Sequence, residues 1–153
     1  MEIESRLKEI GIELPSPVKP MANYVTTVQT GNLVFTSGHG PVSVNGELET
    51  GQLGADMTIE EGYQSARLVG LGLISTLKDA LRNLDRIKRI VKVVGFVNST
   101  PDFLDHPKVI NGVSDLFVEV FGDKGKHARS AVGMVQLPGG IPVEVEVVVE
   151  IED

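Results

Sequence analysis

The chain has no cysteine and no tryptophan, and its aromatic residues are two tyrosines and five phenylalanines in 153 positions. Without cysteine there can be no disulfide, no thiolate nucleophile and no Cys-ligated zinc, a composition that suits a reducing compartment. Positive charge is also scarce. Fourteen Lys and Arg against 21 Asp and Glu leave a net charge of −7, with a pI near 5.0. A nucleic acid partner requires a basic face, and only Arg82–Lys92 (RNLDRIKRIVK) approaches one. That stretch reads as a solvated helix end running into a strand. No apolar run nears the roughly 20 residues that span a bilayer, and no charged-then-apolar signal segment opens the sequence. The expectation is a cytoplasmic protein with no membrane or nucleic acid partner.

What is present is an ordinary globular composition, 41% hydrophobic and 23% charged, long enough for one domain over residues 1–153. Residues 1–21 read as an N-terminal helix, Met1–Ile12 with Gly11 as its C-cap, followed by an arm over Leu14–Met21. Pro15, Pro17 and Pro20 force that arm to be extended. Tyr24–Gln29 and Asn32–Ser37 are strand-like runs around a Thr30–Gly31 turn. A loop, Ser37-Gly38-His39-Gly40-Pro41, follows, and Asn45-Gly46 suggests a second small hairpin between Val42–Val44 and Glu47–Leu48.

Thr58 and Glu61 form a capping-box pattern that opens a helix running to about Leu84, with Leu73, Ile74, Leu77, Leu81 and Leu84 on one stripe. Gly70 and Gly72 within it predict close packing against a sheet. Ile87–Asn98 reads as a central strand covered on both faces. Asp105–Phe121 is a second helix with Pro107 in its first turn. Two strands flank Pro138-Gly139-Gly140: one from Ser130 to Leu137, the other over Val143–Ile151. On the latter, Val143, Val145, Val147, Val149 and Ile151 alternate with Glu144, Glu146, Val148 and Glu150. Pairing of these two strands as a hairpin would bring Arg129 and the glutamates into one region. The order predicts an α+β fold, a mixed sheet with two helices packed on one face. The other face, carrying Met134, Val132 and Val148, is then left to pack against copies of itself.

The runs TGNLVFTSGHGPV, VINGVSDLFVEVFG and HARSAVGMVQLPGGIPVEVEVVVEI resemble the Rid family, the reactive intermediate deaminases also called YjgF or endoribonuclease L-PSP. The resemblance extends from about Asn23 to Ile151. The longer N-terminus, with RLKEIGIELP and NYV, resembles a branch apart from the archetypal deaminases. It implies a chorismate-mutase-like fold in a homotrimer with ligand clefts at the subunit interfaces. The implied activity is hydrolysis of imines and enamines released by pyridoxal-phosphate-dependent dehydratases, yielding 2-oxo acids and ammonia without cofactor or metal. Other relatives are described as ribonucleases or translation inhibitors.

By the same resemblance Arg129 binds the substrate carboxylate, Glu144 places the hydrolytic water, and Tyr24, Ser37, Gly38 and Asn111 line the cleft. Two positions depart from the family pattern. Ala131 stands where cysteine or threonine is frequent, and His39 where glutamine is frequent. On chemistry alone Arg129 is equally suited to a ligand carboxylate or to a salt bridge with Glu144 or Glu146. Glu144 is either a proton-handling group or a solvated strand glutamate, and Tyr24 closes over a substrate or packs in the core. Ser37 lacks a partner base for a nucleophile's role. His39, His106 and His127 lack metal-ligand spacing. Beside the deaminase reading stand a non-catalytic binding module for a small carboxylate-bearing metabolite and, third, a ribonuclease.

Overall fold

The computed structural model describes residues 1–20, 22–43 and 45–152. Its elements are α1 (Glu2–Glu9), β1 (Thr27–Thr30), β2 (Leu33–Thr36), α2 (Ile59–Leu81), β3 (Ile87–Asn98), α3 (His106–Phe121), β4 (Ala128–Met134) and β5 (Val143–Ile151), with short 3-10 turns at 84–86, 122–125 and 138–140. The five strands form one mixed sheet in the order β1-β2-β5-β3-β4, with β3 and β4 parallel and the other neighbours antiparallel. Val93 and Val97 of β3 and Val143, Val145, Val147 and Val149 of β5 project into a core closed by Leu73, Ile74 and Leu77 of α2 and by Ile110, Val113 and Phe117 of α3. The α+β architecture with two helices on one face is as the sequence predicts. Among the described residues no helix is long and apolar enough to cross a membrane.

Two expectations about the sheet are corrected. β4 and β5 do not form a hairpin, because β3 lies between them and pairs with both. Parallel pairing of β3 with β4 uses α3 as the crossover, the connection parallel neighbours require. Nor is β3 covered on both faces within the chain. Val93, Gly95 and Val97 are buried, whereas Val94 and Phe96 on the opposite side are only partly so.

Other differences are local. The capping box is formed: Glu61 N donates to Thr58 Oγ1 at 3.1 Å, and Thr58 N donates to Glu61 Oε1 at 3.0 Å. α2 nevertheless ends at Leu81 rather than Leu84, because Arg82 turns left-handed at φ 66° and Asn83 caps the following turn. Gly70 serves helix packing, not sheet packing, since a Cβ there would lie 2.7 Å from Leu116 Cδ2 of α3. At the reciprocal position a Cβ on Gly112 would lie 2.1 Å from the Tyr63 carbonyl oxygen. In the second small hairpin, among the described residues, Val42 bridges Leu48, and Ser43 N and Glu49 N donate to the Glu47 and Pro41 carbonyls at 2.8 and 3.0 Å. Val44 of that hairpin and Met21 of the predicted arm lie outside the described residues.

The N-terminal segment is tied down at two points. Glu2 N and Ile3 N of α1 both donate to the Asp85 carboxylate at 2.9 Å, a cap supplied from 82 and 83 residues away. Farther along, Ser75 Oγ on the buried side of α2 donates to the Pro15 carbonyl at 2.5 Å, stapling the arm across the helix.

Candidate functional site

The residues nominated by sequence fall into two clusters on opposite faces of the sheet. Arg129 lies opposite Val93 in the β4–β3 ladder, so it shares the face that the helices cover. Its Nη1 donates to Asn111 Oδ1 at 2.8 Å and to Ser114 Oγ at 3.1 Å, both on α3. A guanidinium has five N–H donors, two of them on Nη1. Those two are used, while Nε and Nη2 have no partner among the described residues. That free edge matches the two oxygens of a carboxylate. Arg129 makes no ion pair among the described residues, so the salt bridge to Glu144 or Glu146 considered from sequence is not formed. Ala131, on the same strand face, packs on the core and offers no polar group beside the arginine.

Two residues that sequence reasoning did not nominate complete this cluster. His127 Nδ1 lies 2.6 Å from the Gly125 carbonyl, which can only accept, so Nδ1 carries the hydrogen. Nε2 is then the acceptor for Ser114 Oγ–H at 2.9 Å, leaving the Ser114 lone pairs to receive Arg129 Nη1. The chain of donors therefore orients Arg129 while His127 is neutral. Burial, and to a lesser degree the Arg129 charge, hold the His127 pKa below its ordinary value of 6.5, against the bond to Gly125. The available signal was spacing: Asn111 and Ser114 are three apart on one helix face, and His127 and Arg129 two apart at the mouth of one strand.

Glu144 lies opposite Phe96, on the face away from the helices. Its carboxyl is half-buried, and its pKa is raised above 4.5 first by desolvation and then by Glu146. Glu146, two residues on and exposed, acts on it as a like charge. Gly38 abuts this carboxyl: a Cβ added there would lie 2.9 Å from Glu144 Cδ and 3.0 Å from Oε2. The loop is fixed by His39. Its backbone exchanges two hydrogen bonds with Val145, at 2.9 and 3.0 Å. Its ring turns inward, with Nδ1–H donating to Ser37 O at 2.9 Å and Nε2 accepting from Thr76 Oγ1 of α2 at 2.8 Å. His39 is only 3% exposed, and burial lowers its pKa. It is thus a neutral strut beneath the loop.

Tyr24 is 49% exposed, not packed in the core. With Ser37, Gly38 and His39 it lines a pocket of about 780 Å³. Among the described residues no three His, Asp or Glu side chains converge as a metal site requires.

Arg129 and Glu144 are two strands apart and, along β3, three residues apart. That is roughly 10 Å in each direction, with the side chains on opposite sides of the sheet. One small molecule cannot touch both within a single chain.

Comparison with known proteins gives this arrangement a context. The model of the YjgF/chorismate-mutase-like endoribonuclease family matches residues 4–147. Over 152 residues the sequence is 45% identical to Protein TCP17 of Trypanosoma cruzi, covering 99% of this chain and 95% of that protein. The fold superposes with a TM-score of 0.90 on protein Atu1372 of Agrobacterium tumefaciens, a protein of unknown function. The two are 40% identical, with 99% of this chain and 93% of that one covered. A 2-iminobutanoate/2-iminopropanoate deaminase of Dermatophagoides farinae is 28% identical over 142 residues, covering 92% of this chain and 95% of that protein.

Proposed function

The chain belongs to the YjgF/chorismate-mutase-like endoribonuclease family, and from that premise we propose that it hydrolyses small 2-imino and 2-enamino acids to 2-oxo acids and ammonia in clefts between copies of itself. The observation carrying this reading is the division of the candidate residues into two half-sites. One presents a free guanidinium edge at the sheet margin, the other a partly desolvated carboxyl beside a glycine loop. A homotrimer in which the β4 margin of one copy meets the Gly38 loop of the next brings the two together. The uncovered sheet face supplies an apolar contact surface, with Val28, Phe35 and Val132 all more than 40% exposed.

In such a cleft the Nε–Nη2 edge of Arg129 holds the substrate carboxylate and fixes C2 against the Glu144 half-site. Glu144 accepts a proton from water as the water oxygen bonds to C2 of the iminium, and the C=N π pair moves onto nitrogen. The resulting carbinolamine takes that proton back on nitrogen. The C–N bond then breaks, ammonia leaves, and the hydroxyl gives its proton to the ionised Glu144 carboxylate to form the 2-oxo acid, the proton passing on to the ammonia as ammonium. An enamine first receives a proton at C3 from the protonated form of Glu144. A carboxyl whose pKa is pushed upward suits both roles better than an unperturbed one.

Adding the protein to an amino-acid dehydratase that generates the imine, and following 2-oxo acid release, tests this reading. The rate should exceed that in buffer, and Arg129→Ala should abolish the gain. A rate no faster than buffer, or one unchanged in Arg129→Ala, rules the reading out. Ala131 favours a second possibility, a binding module for the same carboxylates, which would appear as saturable binding without turnover. Against an endoribonuclease role in this chain stands the net charge of −7, which repels a polyanion.

A further inference from the structure

The pocket beside Ser37 and Gly38 is larger than a three- or four-carbon substrate needs, and the N-terminal arm builds one of its walls. Leu14 and Val18 of the arm line it together with Leu68 and Leu71 of α2, Leu48 and Tyr24. Its volume of about 780 Å³ falls within the roughly 300–1,000 Å³ of small-molecule sites. The wall is held in place. Ser75 Oγ grips the Pro15 carbonyl at 2.5 Å, Leu14 packs on the core, and Pro15 and Pro17 stiffen the backbone between them. Gly38 lines this pocket and also abuts the Glu144 carboxyl, so one loop residue borders both the pocket and the group assigned to the reaction.

We propose that the arm-walled pocket receives the substrate's side chain, so that the preferred substrates are 2-imino acids with a branched aliphatic or aromatic side chain. The inference rests on the reading of the cleft given above. A 2-oxo acid that binds by its carboxylate projects its side chain away from that group. Gly38 shares this pocket with Leu14, Val18, Leu68 and Leu71, an apolar lining for that side chain. Burying three or more additional carbons there should strengthen binding by at least about 10-fold.

Calorimetry on the assembled protein with pyruvate, 4-methyl-2-oxopentanoate and phenylpyruvate tests the assignment, alongside two variants. Val18→Asp puts a charge on the arm wall, and Leu71→Trp fills the pocket from α2; thermal melts verify that each is folded. Wild type should bind the two larger acids at least about 10-fold more tightly than pyruvate. Each variant should lose that preference while keeping its affinity for pyruvate. Equal affinity across the series in wild type, or a preference that survives both variants, overturns the pocket assignment alone. Failure of all three acids to bind overturns the cleft reading and this inference with it.

Discussion

Gly38 and Glu144 are so closely apposed that a single methyl group on the glycine would lie 2.9 Å from the carboxyl carbon. The obstructed atoms are the far end of a flexible side chain, so Gly38→Ala should fold normally, with a Tm within about 2 °C of wild type. The carboxylate must nevertheless move, and turnover should fall about 10-fold or more. Parallel melting and activity measurements check this; full activity would remove Glu144 from the reacting centre.

The raised pKa of Glu144 gives two signed expectations. Activity that needs the ionised carboxylate should fall on the acid side with a midpoint above 4.5, and Glu144→Gln should lower kcat by about 10²–10⁴-fold. Stability runs the opposite way. A carboxyl whose folded pKa is raised gives a contribution that is present below its unfolded pKa and lost as pH rises through the folded one. Glu144→Gln should therefore melt higher than wild type at pH 7, and the difference should vanish below about pH 4. Melting curves across pH 3.5–8 decide it.

His127 reports on the arginine it orients. Its ring should titrate below 6.5 by NMR, and the stability it supplies should be present above the unfolded pKa and disappear as pH falls through the folded value. Ser114→Ala removes the bridge between them, and Kd for a small 2-oxo acid should rise several-fold at pH 7. An unchanged Kd would mean that Asn111 alone holds the guanidinium.

Helix packing offers a test independent of function. Gly112→Ala drives a Cβ to 2.1 Å from the Tyr63 carbonyl oxygen, with the Arg67 nitrogen at 3.0 Å. Backbone on both sides cannot give way, so the cost should be about 1–3 kcal/mol or more. The expected fall in Tm is roughly 4–10 °C by calorimetry. A neutral result would show that α2 and α3 cross farther apart.

Local patterns in the sequence carried much of this structure. β3 and β5 begin and end at the residues that the apolar run and the strict alternation predict, and Thr58 with Glu61 caps α2 as their spacing requires. Strand neighbours were less legible. Alternation tells which face a residue occupies, not which strand lies beside it, and Pro138-Gly139-Gly140 resembles a hairpin turn although its flanking strands are separated by β3. The strand–helix–strand order from β3 through α3 to β4 was the better guide, because a helical crossover permits parallel pairing. Asp85 capping α1 and Ser75 holding Pro15 join residues far apart in sequence, and neither carries a local signal. His39 was placed correctly in its loop, but its inward turn onto Thr76 depends on where α2 lies.

The central claim is that each cleft takes Arg129 from one copy and Glu144 from another. Arg129→Ala and Glu144→Gln, each inactive alone, should complement when co-expressed at equal levels and purified as mixed oligomers. Random assortment leaves one cleft in four with both native residues, so about a quarter of wild-type activity should return. Mixed oligomers no more active than either variant alone would contradict the account.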